Sequence, residues 1–268
     1  MSVQTLYTAA TGMEALQTKL DVIANNLANV NTVGFKSGRA NFEDLFYRHE
    51  QYPGAEDASG QLTATGTSIG LGSRVSSVQT YFNQGAFEPT ERELDVAIEG
   101  NGFFQLTDPG TQQTVYSRAG NFSINAQNQL VIGSASTGRL LEPAISIPQD
   151  AISVSITPNG NVMVRSPGQS DATQAGQIQL AVFTNPEGLL KLGENLYAET
   201  EASGTATPGT PTQENFGTLR SGFLEKSNVE PVRELIDLIT TQRAFELNSQ
   251  AVQAGDQILS IISNLPRF

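Results

Sequence analysis

Residues able to do acid–base or nucleophilic chemistry near neutral pH are scarce in this sequence. His49 is the only histidine among the 268 residues, and there is no cysteine. Histidine is the side chain that most readily exchanges a proton at that pH, and cysteine is a common nucleophile. A Ser/His/Asp triad would have to include His49, yet no strand-turn-helix Gly-x-Ser-x-Gly elbow accompanies it. We therefore predict no catalytic residue and interpret His49 as a surface side chain.

Ligand-binding motifs are equally sparse. The sequences Gly100-Asn101-Gly102 and Gly70-Leu71-Gly72 are glycine pairs, but neither continues with the third glycine or the Lys-Ser/Thr pair of a phosphate-binding loop. The carboxylates do not follow the spacing of a calcium loop, and zinc would lack its usual histidine and cysteine ligands. The sequence accordingly predicts no cofactor and no metal, and nothing in it selects a carboxylate pair for glycoside cleavage.

The overall charge argues against several classes of partner. The net charge is -12 and the pI is about 4.5. Such a surface repels phosphates, so we predict no nucleic-acid binding and no docking on anionic lipid. No apolar run reaches the roughly 18 residues that a membrane helix needs, and Met1 to Ala10 lack the pattern of a cleaved signal peptide. We predict a folded protein that does not insert into a membrane.

The first thirty residues carry the three-and-four spacing of one long amphipathic helix. The apolar positions are Val3, Leu6, Ala10, Met13, Leu16, Leu20, Ile23, Leu27 and Val30. The opposite face is rich in threonine, asparagine and glutamine but almost uncharged.

The C-terminal segment predicts a second long helix with two neighbouring apolar stripes. The first stripe comprises Ile236, Ile239, Leu247, Ala251, Ala254, Ile258, Ile261 and Leu265, interrupted at Arg243, and the second comprises Leu235, Leu238, Phe245, Val252 and Leu259. We predict an N-cap at Ser227 or Asn228, Pro231 in the first turn and a stop at Pro266. Two stripes indicate more than one packing partner.

Between the helices, short β-prone runs alternate with turn signals, which favours an all-β domain. The runs are Asp95 to Ile98, Phe103 to Leu106, Ile152 to Ile156 and Gln177 to Phe183. Two stretches, Gln51 to Gly72 and Glu201 to Asn215, are predicted to be linkers or exposed loops. The predicted fold class is mixed α and β, with long terminal helices paired as a coiled coil. The predicted domains are 1–33 with 228–268 (helical), 34–75 (extended joint) and 76–227 (all-β).

The charge-poor helix faces point to burial between subunits, because interfaces are depleted of charge at their centres. The alternative, an ordinary helical hairpin within one chain, stays open at this point. We predict that one paired stripe forms the subunit interface; its members are Leu20, Ile23, Leu27, Leu247, Ala251, Ile258 and Ile261.

Three motifs stand out along the chain: the first runs from Ala24 to Lys36, the second from Asp95 to Phe104, and the third comprises Ser227 to Val229 with Gln242 to Ser249. They resemble the motifs of the bacterial flagellar rod and hook proteins. The motif residues carried over are Asn25, Asn26, Leu27, Asn29, Gly34, Phe35, Gly100, Gly102, Phe103, Phe104, Ser227, Asn228, Val229, Gln242 and Arg243. Asn41 to Tyr47 also resembles distal-rod members of that family. Glu230-Pro231 departs from the small or polar residues expected there.

The resemblance implies a structural subunit, not an enzyme, that self-assembles into the hollow, helical distal rod and transmits torque from the motor to the hook. It implies as partners further copies, proximal rod proteins, the hook protein, a rod-cap protein, the P and L ring proteins and the flagellar export apparatus. The implied location is the periplasmic rod of the basal body, reached without a cleaved signal peptide. The alternatives are a proximal rod or hook subunit, and a carbohydrate-binding or adhesin-like β domain on a helical stalk.

Overall fold

The structure of the chain is a computed structural model that describes residues 3–54, 64–133, 138–168, 171–213 and 215–263. It divides into two compact units. The first unit comprises Met1–Ala28, Gly38–Gln79 and Glu230–Phe268, and the second comprises Asn29–Ser37 and Thr80–Val229. An N-terminal helix, a β-rich middle and a C-terminal helix confirm the mixed α and β class. The three-part division at 33, 75 and 227 stays a prediction.

Within the described residues, the helices are α1 (Val3–Ala28) and α2 (Pro231–Ser263), with a short 3₁₀ turn at Pro186–Gly188. The strands of the first unit are β1 (Gly38–Asp44), β2 (Tyr47–Gln51), β3 (Thr67–Gly70) and β4 (Ser73–Thr80). The strands of the second unit are β5 (Phe87–Pro89), β6 (Val96–Glu99), β7 (Phe103–Thr107), β8 (Thr114–Ser117), β9 (Phe122–Ile124), β10 (Leu130–Ile132), β11 (Arg139–Leu141), β12 (Ser153–Ile156), β13 (Asn161–Arg165), β14 (Thr173–Gln177), β15 (Leu180–Val182), β16 (Leu190–Gly193), β17 (Leu196–Ala198), β18 (Thr207–Gly209), β19 (Thr218–Ser221) and β20 (Phe223–Glu225).

The two helices of the first unit lie antiparallel against each other. Leu6 faces Gly255, where a Cβ added to the glycine would lie 2.7 Å from Leu6 Cδ2. Gly12 faces Asn248, whose Nδ2 lies 3.4 Å from the position of an added Cβ. At the other end of the pair, Asn26 Nδ2 donates to Glu234 Oε1 at 3.1 Å. As the residue number rises along α1 it falls along α2, which defines the antiparallel direction.

Burial along both helices repeats in alternating steps of four and three residues. On α2 the row of buried or half-buried residues is Glu234, Leu238, Thr241, Phe245, Asn248, Val252, Gly255 and Leu259. On α1 the corresponding row is Gly12, Leu16, Lys19, Ile23 and Asn26. An average repeat of 3.5 residues is the spacing at which two helices can keep the same faces together along their length. The second predicted apolar stripe of α2, without Leu235, therefore faces α1.

The ends of the helices differ from the predictions in detail. Helix α1 ends at Ala28, because the chain turns at 29–34 to enter the second unit. Helix α2 begins at Pro231, and Glu234 N donates to Glu230 O at 3.1 Å. The predicted N-cap at Ser227 or Asn228 is therefore wrong, since both residues lie upstream of the first turn. Pro266 lies outside the described residues.

The second unit is built from antiparallel strands around two hydrophobic clusters. Its largest sheet has the order β16-β17-β8-β7-β11-β10-β9, with β15 pairing both β7 and β18. A three-stranded sheet, β12-β13-β14, and the pairs β19-β6 and β20-β5 complete it. Phe104 and Leu106 on β7 are fully buried in the larger cluster, and Phe103 lies in the smaller one. Alternate residues of β7 thus supply two separate cores, as the two-residue period of a strand requires.

The two predicted linkers behave differently. Glu201 to Asn215 is not simply an exposed loop, because β18 pairs with β15 and Ser203 is fully buried. The first stretch contributes β3, which forms an antiparallel hairpin with β2, while 55–63 lie outside the described residues. No helix in the described part of the chain combines the length and apolarity that crossing a membrane requires.

Candidate assembly interface

Helix α2 carries a row of large apolar side chains on the side turned away from α1. Leu247 is 65% exposed, and the other members are exposed to a similar degree. The row consists of Val232, Leu235, Ile236, Ile239, Leu247 and Ile261. Large apolar side chains exposed along one side of a helix are typical of a surface that another protein covers. We call these six residues the outer row.

The seven predicted interface residues are divided between two environments. On α1, Ile23 is buried and Leu20 and Leu27 are half-buried. On α2, Leu247, Ala251 and Ile261 are exposed and Ile258 is half-buried. The structure therefore does not bring the seven together as one paired stripe within the chain. Whether they form a subunit interface stays a prediction.

Two ion pairs link charged side chains along α2 and at its start. Arg243, which interrupts the outer row, places Nη1 2.9 Å from Glu246 Oε2. Arg233 Nε lies 3.2 Å from Glu230 Oε2. Both pairs are exposed and span three residues, so each contributes only a few tenths of a kcal/mol, about 0.3. Gln242 is exposed beside Arg243.

Asn26 of the first motif joins three segments of the first unit. Its Oδ1 accepts from Gly38 N at 2.9 Å, and its Nδ2 donates to Gly38 O at 2.8 Å and to Glu234 Oε1. Asn26 is buried, so these bonds replace water that the amide has lost. Its neighbour Asn25 is exposed, and Asn29 Oδ1 accepts from Thr32 Oγ1 at 3.1 Å.

Burial raises the pKa of Glu234, which lies half-buried at the start of the α2 row. The Asn26 hydrogen bond and Lys19 oppose this effect, while Asp237 adds to it. The carboxylate is thus held where its charge is less favourable than in water.

In the second unit, residues of the first motif and of the first part of the third motif meet beside Glu225. Gly34 N donates to Glu225 O at 2.8 Å, and Lys36 Nζ donates to Glu225 Oε1 at 2.7 Å. Asn228 Oδ1 accepts from Ser37 N at 2.8 Å, and Asn228 Nδ2 donates to Tyr81 O at 2.9 Å.

Other motif residues in the second unit also have defined contacts. Gly100 O accepts from Arg118 Nη2 at 2.8 Å, and Gly102 is buried against Leu180. Ser227 and Val229 are buried, and Val229 N donates to Ser227 Oγ at 3.3 Å. Phe35 O accepts from Asn228 N at 3.3 Å. The first and third motifs therefore hold together the segments by which the chain enters and leaves the second unit.

The charges at this junction are buried and unequal in number. Lys36 and Glu225 have no exposed side-chain surface, and Arg118 Nη1 lies 3.5 Å from Glu225 Oε2. Burial lowers the pKa of Lys36, with Glu225 opposing and Arg118 adding to that effect. Burial also lowers the pKa of Arg118. Nothing in the sequence marks Arg118 and Glu225, because they are distant in the chain and their residue types are common on surfaces.

The hairpin β2-β3 contains the one histidine and a spacing that the sequence prediction passed over. Gly66 to Gly70 does read Gly-x-Ser-x-Gly, and Ser68 lies opposite His49 in the register. Both residues are exposed on antiparallel strands, whereas a nucleophile elbow needs a sharp turn from a strand into a helix. The described residues hold no cluster of three histidine, cysteine or acidic side chains suited to a metal.

The two units differ in how exposed their aromatic side chains are. Phe103, Phe104 and Tyr116 are buried, so they do not form the exposed aromatic cluster that an adhesin-like β domain would need. In the first unit, by contrast, Phe46 and Tyr52, which belong to the predicted joint 34–75, are exposed.

Three segments of the chain match families of flagellar rod and hook proteins. Residues 6–36 match the family "Flagella basal body rod protein", 97–164 match "Flagellar hook protein FlgE/F/G D1 domain", and 220–265 match "Flagellar basal body rod FlgEFG protein C-terminal". The chain is similar to the flagellar basal-body rod protein FlgG of Caulobacter vibrioides, at 44% identity over 98% of this chain and 99% of the relative.

Two proteins of one organism give a sharper comparison. FlgG of Bacillus subtilis is 40% identical over 98% of this chain and 99% of its own length. The flagellar hook-basal body complex protein FlhP of the same strain is 28% identical over the same shares of the two chains. The three motifs and the full-length similarity agree: the chain belongs to the family of flagellar basal-body rod proteins.

Proposed function

We propose that this chain is the structural subunit of the distal rod, whose copies assemble through their terminal helices into a hollow, helical shaft. The outer row of α2 is the single observation that carries the proposed assembly, because a rod-family chain exposes six large apolar side chains on one helix. Burying such side chains contributes about 1.5–3 kcal/mol each. A neighbouring copy in the rod would cover them.

Each helix face would then have its own role. The row from Glu234 to Leu259 would pair with α1 within the chain as a coiled coil, which its average 3.5-residue repeat supports. The outer row would pack on a different surface of the next copy. Contacts between unlike surfaces that do not close into a ring produce a helical filament, the form of a drive shaft. The predicted interface residues Leu20, Ile23, Leu27, Ala251 and Ile258 would lie in or beside the contact between neighbouring copies.

The distal position rests on the degree of similarity. Identity to the FlgG proteins is 40–44% in the three cases of Caulobacter, Agrobacterium and Bacillus, against 28% to FlhP. A subunit at another level of the rod, or in the hook, would be expected to reverse that order.

The joint would connect neighbouring copies. In and beside its hairpin, Phe46, Tyr47 and Tyr52 are exposed, and the neighbouring Asp44 raises the pKa of Tyr47. Residues 34–75 form the predicted extended joint, and exposed aromatic side chains suit a contact with another protein. We expect a chain lacking 54–69 to polymerise into shafts of altered straightness or length.

The wider setting follows from the family. The partners would be other copies, the proximal rod proteins, the hook protein, the rod-cap protein and the P and L ring proteins. The export apparatus would deliver the chain to the periplasmic rod without cleaving a signal peptide. The proposed role transmits torque and includes no catalysis.

Electron microscopy of the purified protein at high concentration tests the proposal. We expect tubes from the full chain and soluble monomers from a truncation lacking 1–30 and 232–268. Leu247→Asp should abolish the tubes, because it places an unpaired charge in a buried contact. Ile152→Asp adds the same charge at an exposed apolar residue of the second unit, outside the terminal helices, and should still assemble. Tubes of Leu247→Asp equal to wild type would overturn the assignment of the outer row.

A further inference from the structure

A cleft of about 250 Å³ opens in the second unit beside the buried charges. Its walls include Phe82, Phe103 and Phe183, and its polar lining includes Asn101, Thr184 and Arg118. The established family membership and the outer row assign nothing to it. An apolar cleft with a few convergent polar groups is the usual form of a binding site.

Arg118 is the unusual member of this lining. Its side chain is only 4% exposed, and Nη2 donates to Gly100 O. Nε and Nη1 have no hydrogen-bond partner, although Nη1 lies 3.5 Å from a Glu225 oxygen. A buried guanidinium normally uses its donors in a planar, two-bond contact with a carboxylate. Two of its donor atoms are buried without a hydrogen-bond partner, which is costly, and a carboxylate seated against the guanidinium would reduce that cost.

The charge around Arg118 is also incomplete. Glu225 gives its short contact, 2.7 Å, to Lys36, which also donates to Asn83 O. The Glu225 carboxylate is thus the counter-charge for two buried cations, Lys36 and Arg118. The cluster of these three residues has a formal charge of one positive unit. An unpaired buried charge is costly, and an incoming anion would offset that cost.

The aromatic walls are held in place by contacts with each other. The rings of Phe82 and Phe103 are 5.4 Å apart, and those of Phe103 and Phe183 are 5.7 Å apart, both edge to face. Arg118 Cζ lies 5.4 Å from the Phe103 ring centroid. Such walls accept the methylene groups of a side chain while Arg118 takes its charged end.

We propose that this cleft receives an aspartate or glutamate side chain from a second copy of the chain. The volume is below the roughly 300 Å³ at which ordinary small-molecule pockets begin, and it suits a single side chain. The chain has 27 acidic and 15 basic residues, so a neighbouring copy presents many carboxylates. The identity of the partner rests on the proposed self-assembly, whereas the chemistry of the cleft does not.

The chemistry of the cleft is tested on dilute, full-length, isotope-labelled protein by nuclear magnetic resonance. The probe is 3-phenylpropionate, and the neutral comparison is 3-phenylpropionamide. We expect the carboxylate to shift the backbone amide signals of Gly102, Phe183 and Thr184, and the amide to bind at least about tenfold more weakly. Equal affinities, or no shifts at these residues, would overturn the proposal.

A variant at the rim avoids disturbing the buried ions. Thr184→Trp introduces bulk at an exposed residue of the cleft and should remove the response to 3-phenylpropionate. Ile152→Trp makes the same change at an exposed position outside the cleft lining and should leave the response intact. If Thr184→Trp binds the probe as wild type does, the probe is not in this cleft and the proposal fails.

The partner is tested in the assembled state. Because the chain has no cysteine, Thr184→Cys creates a single attachment point for a photo-crosslinker. In tubes, mass spectrometry should find it joined to a peptide of another copy at or next to an aspartate or glutamate. Tubes without such a crosslink would reject the second copy as the occupant. Absence of tubes by microscopy would instead count against the proposed assembly, and the probe experiment would still decide the chemistry of the cleft.

Discussion

Lys36 Nζ lies 2.7 Å from Glu225 Oε1, and neither side chain has any exposed surface. Lys36 ends the first sequence motif, and Glu225 lies on the strand just before the third. The same carboxylate accepts from Gly85 N at 2.9 Å. One buried ion pair therefore holds together segments that are almost two hundred residues apart, and it does so at the point where the chain enters and leaves the second unit.

Glu225→Gln should destabilise the second unit by about 3–5 kcal/mol, because Lys36 and Arg118 would remain buried without their counter-charge. Denaturant unfolding followed by near-UV circular dichroism measures the loss. The control is Glu88→Gln, which breaks a half-exposed pair with Lys226. That change should cost about 1 kcal/mol or less. Equal effects of the two substitutions would mean that the buried pair contributes no more than a surface pair.

Gly34→Ala should be far more destabilising than Gly54→Ala. Both glycines have positive φ, +68° and +81°, so alanine costs about 1 kcal/mol of backbone strain at either site. At Gly34 the new Cβ would also lie 2.8 Å from Ala119 N and Arg118 C, whereas at Gly54 no atom of the described residues, apart from its chain neighbours, lies within 4 Å. Thermal unfolding of both variants tests this difference. Similar melting temperatures for the two would contradict the close approach at Gly34.

Substitutions on opposite sides of α2 should separate folding from assembly. Phe245→Ala removes a half-buried ring from the face against α1 and should cost about 2 kcal/mol of helix-pair stability. Leu247→Ala removes a side chain that is mostly exposed in the single chain and should change the unfolding free energy by about 0.5 kcal/mol or less. Unfolding of dilute protein, followed at 222 nm, gives both values. A larger loss for Leu247→Ala would place that residue, not Phe245, against α1.

Glu234→Gln should raise the stability of the helix pair at neutral pH. Burial raises the pKa of Glu234 above its usual 4.5, so the folded state holds the proton more tightly than the unfolded chain does. Its unfavourable contribution is absent below about pH 4.5, grows as the pH rises to the raised folded pKa, and is constant above it. The variant and wild type should therefore melt together near pH 3 and diverge by pH 7. Glu246→Gln, on the exposed side of α2, should not reproduce this pattern.

The sequence by itself determined the kind of elements and the family. The apolar residues of α1 and α2 lie on the predicted helix faces, because the helical period alone decides which residues share a face. The short strands and turns were equally visible, since prolines, glycines and β-branched runs act locally. The three motifs identified the rod and hook family before any contact was known, because a motif is a property of the chain alone.

The tertiary structure decided which surface each element uses. Periodicity gave α2 two apolar stripes but could not say which one faces α1; the fit of Gly12 to Asn248 and of Leu6 to Gly255 selects the row containing Phe245 and leaves Leu247 outside. The same limit hid Glu225 and Arg118, whose burial depends on strands brought together from distant parts of the chain. A residue's type and spacing are local, whereas burial, charge pairing and exposure are set by neighbours that only the folded chain provides.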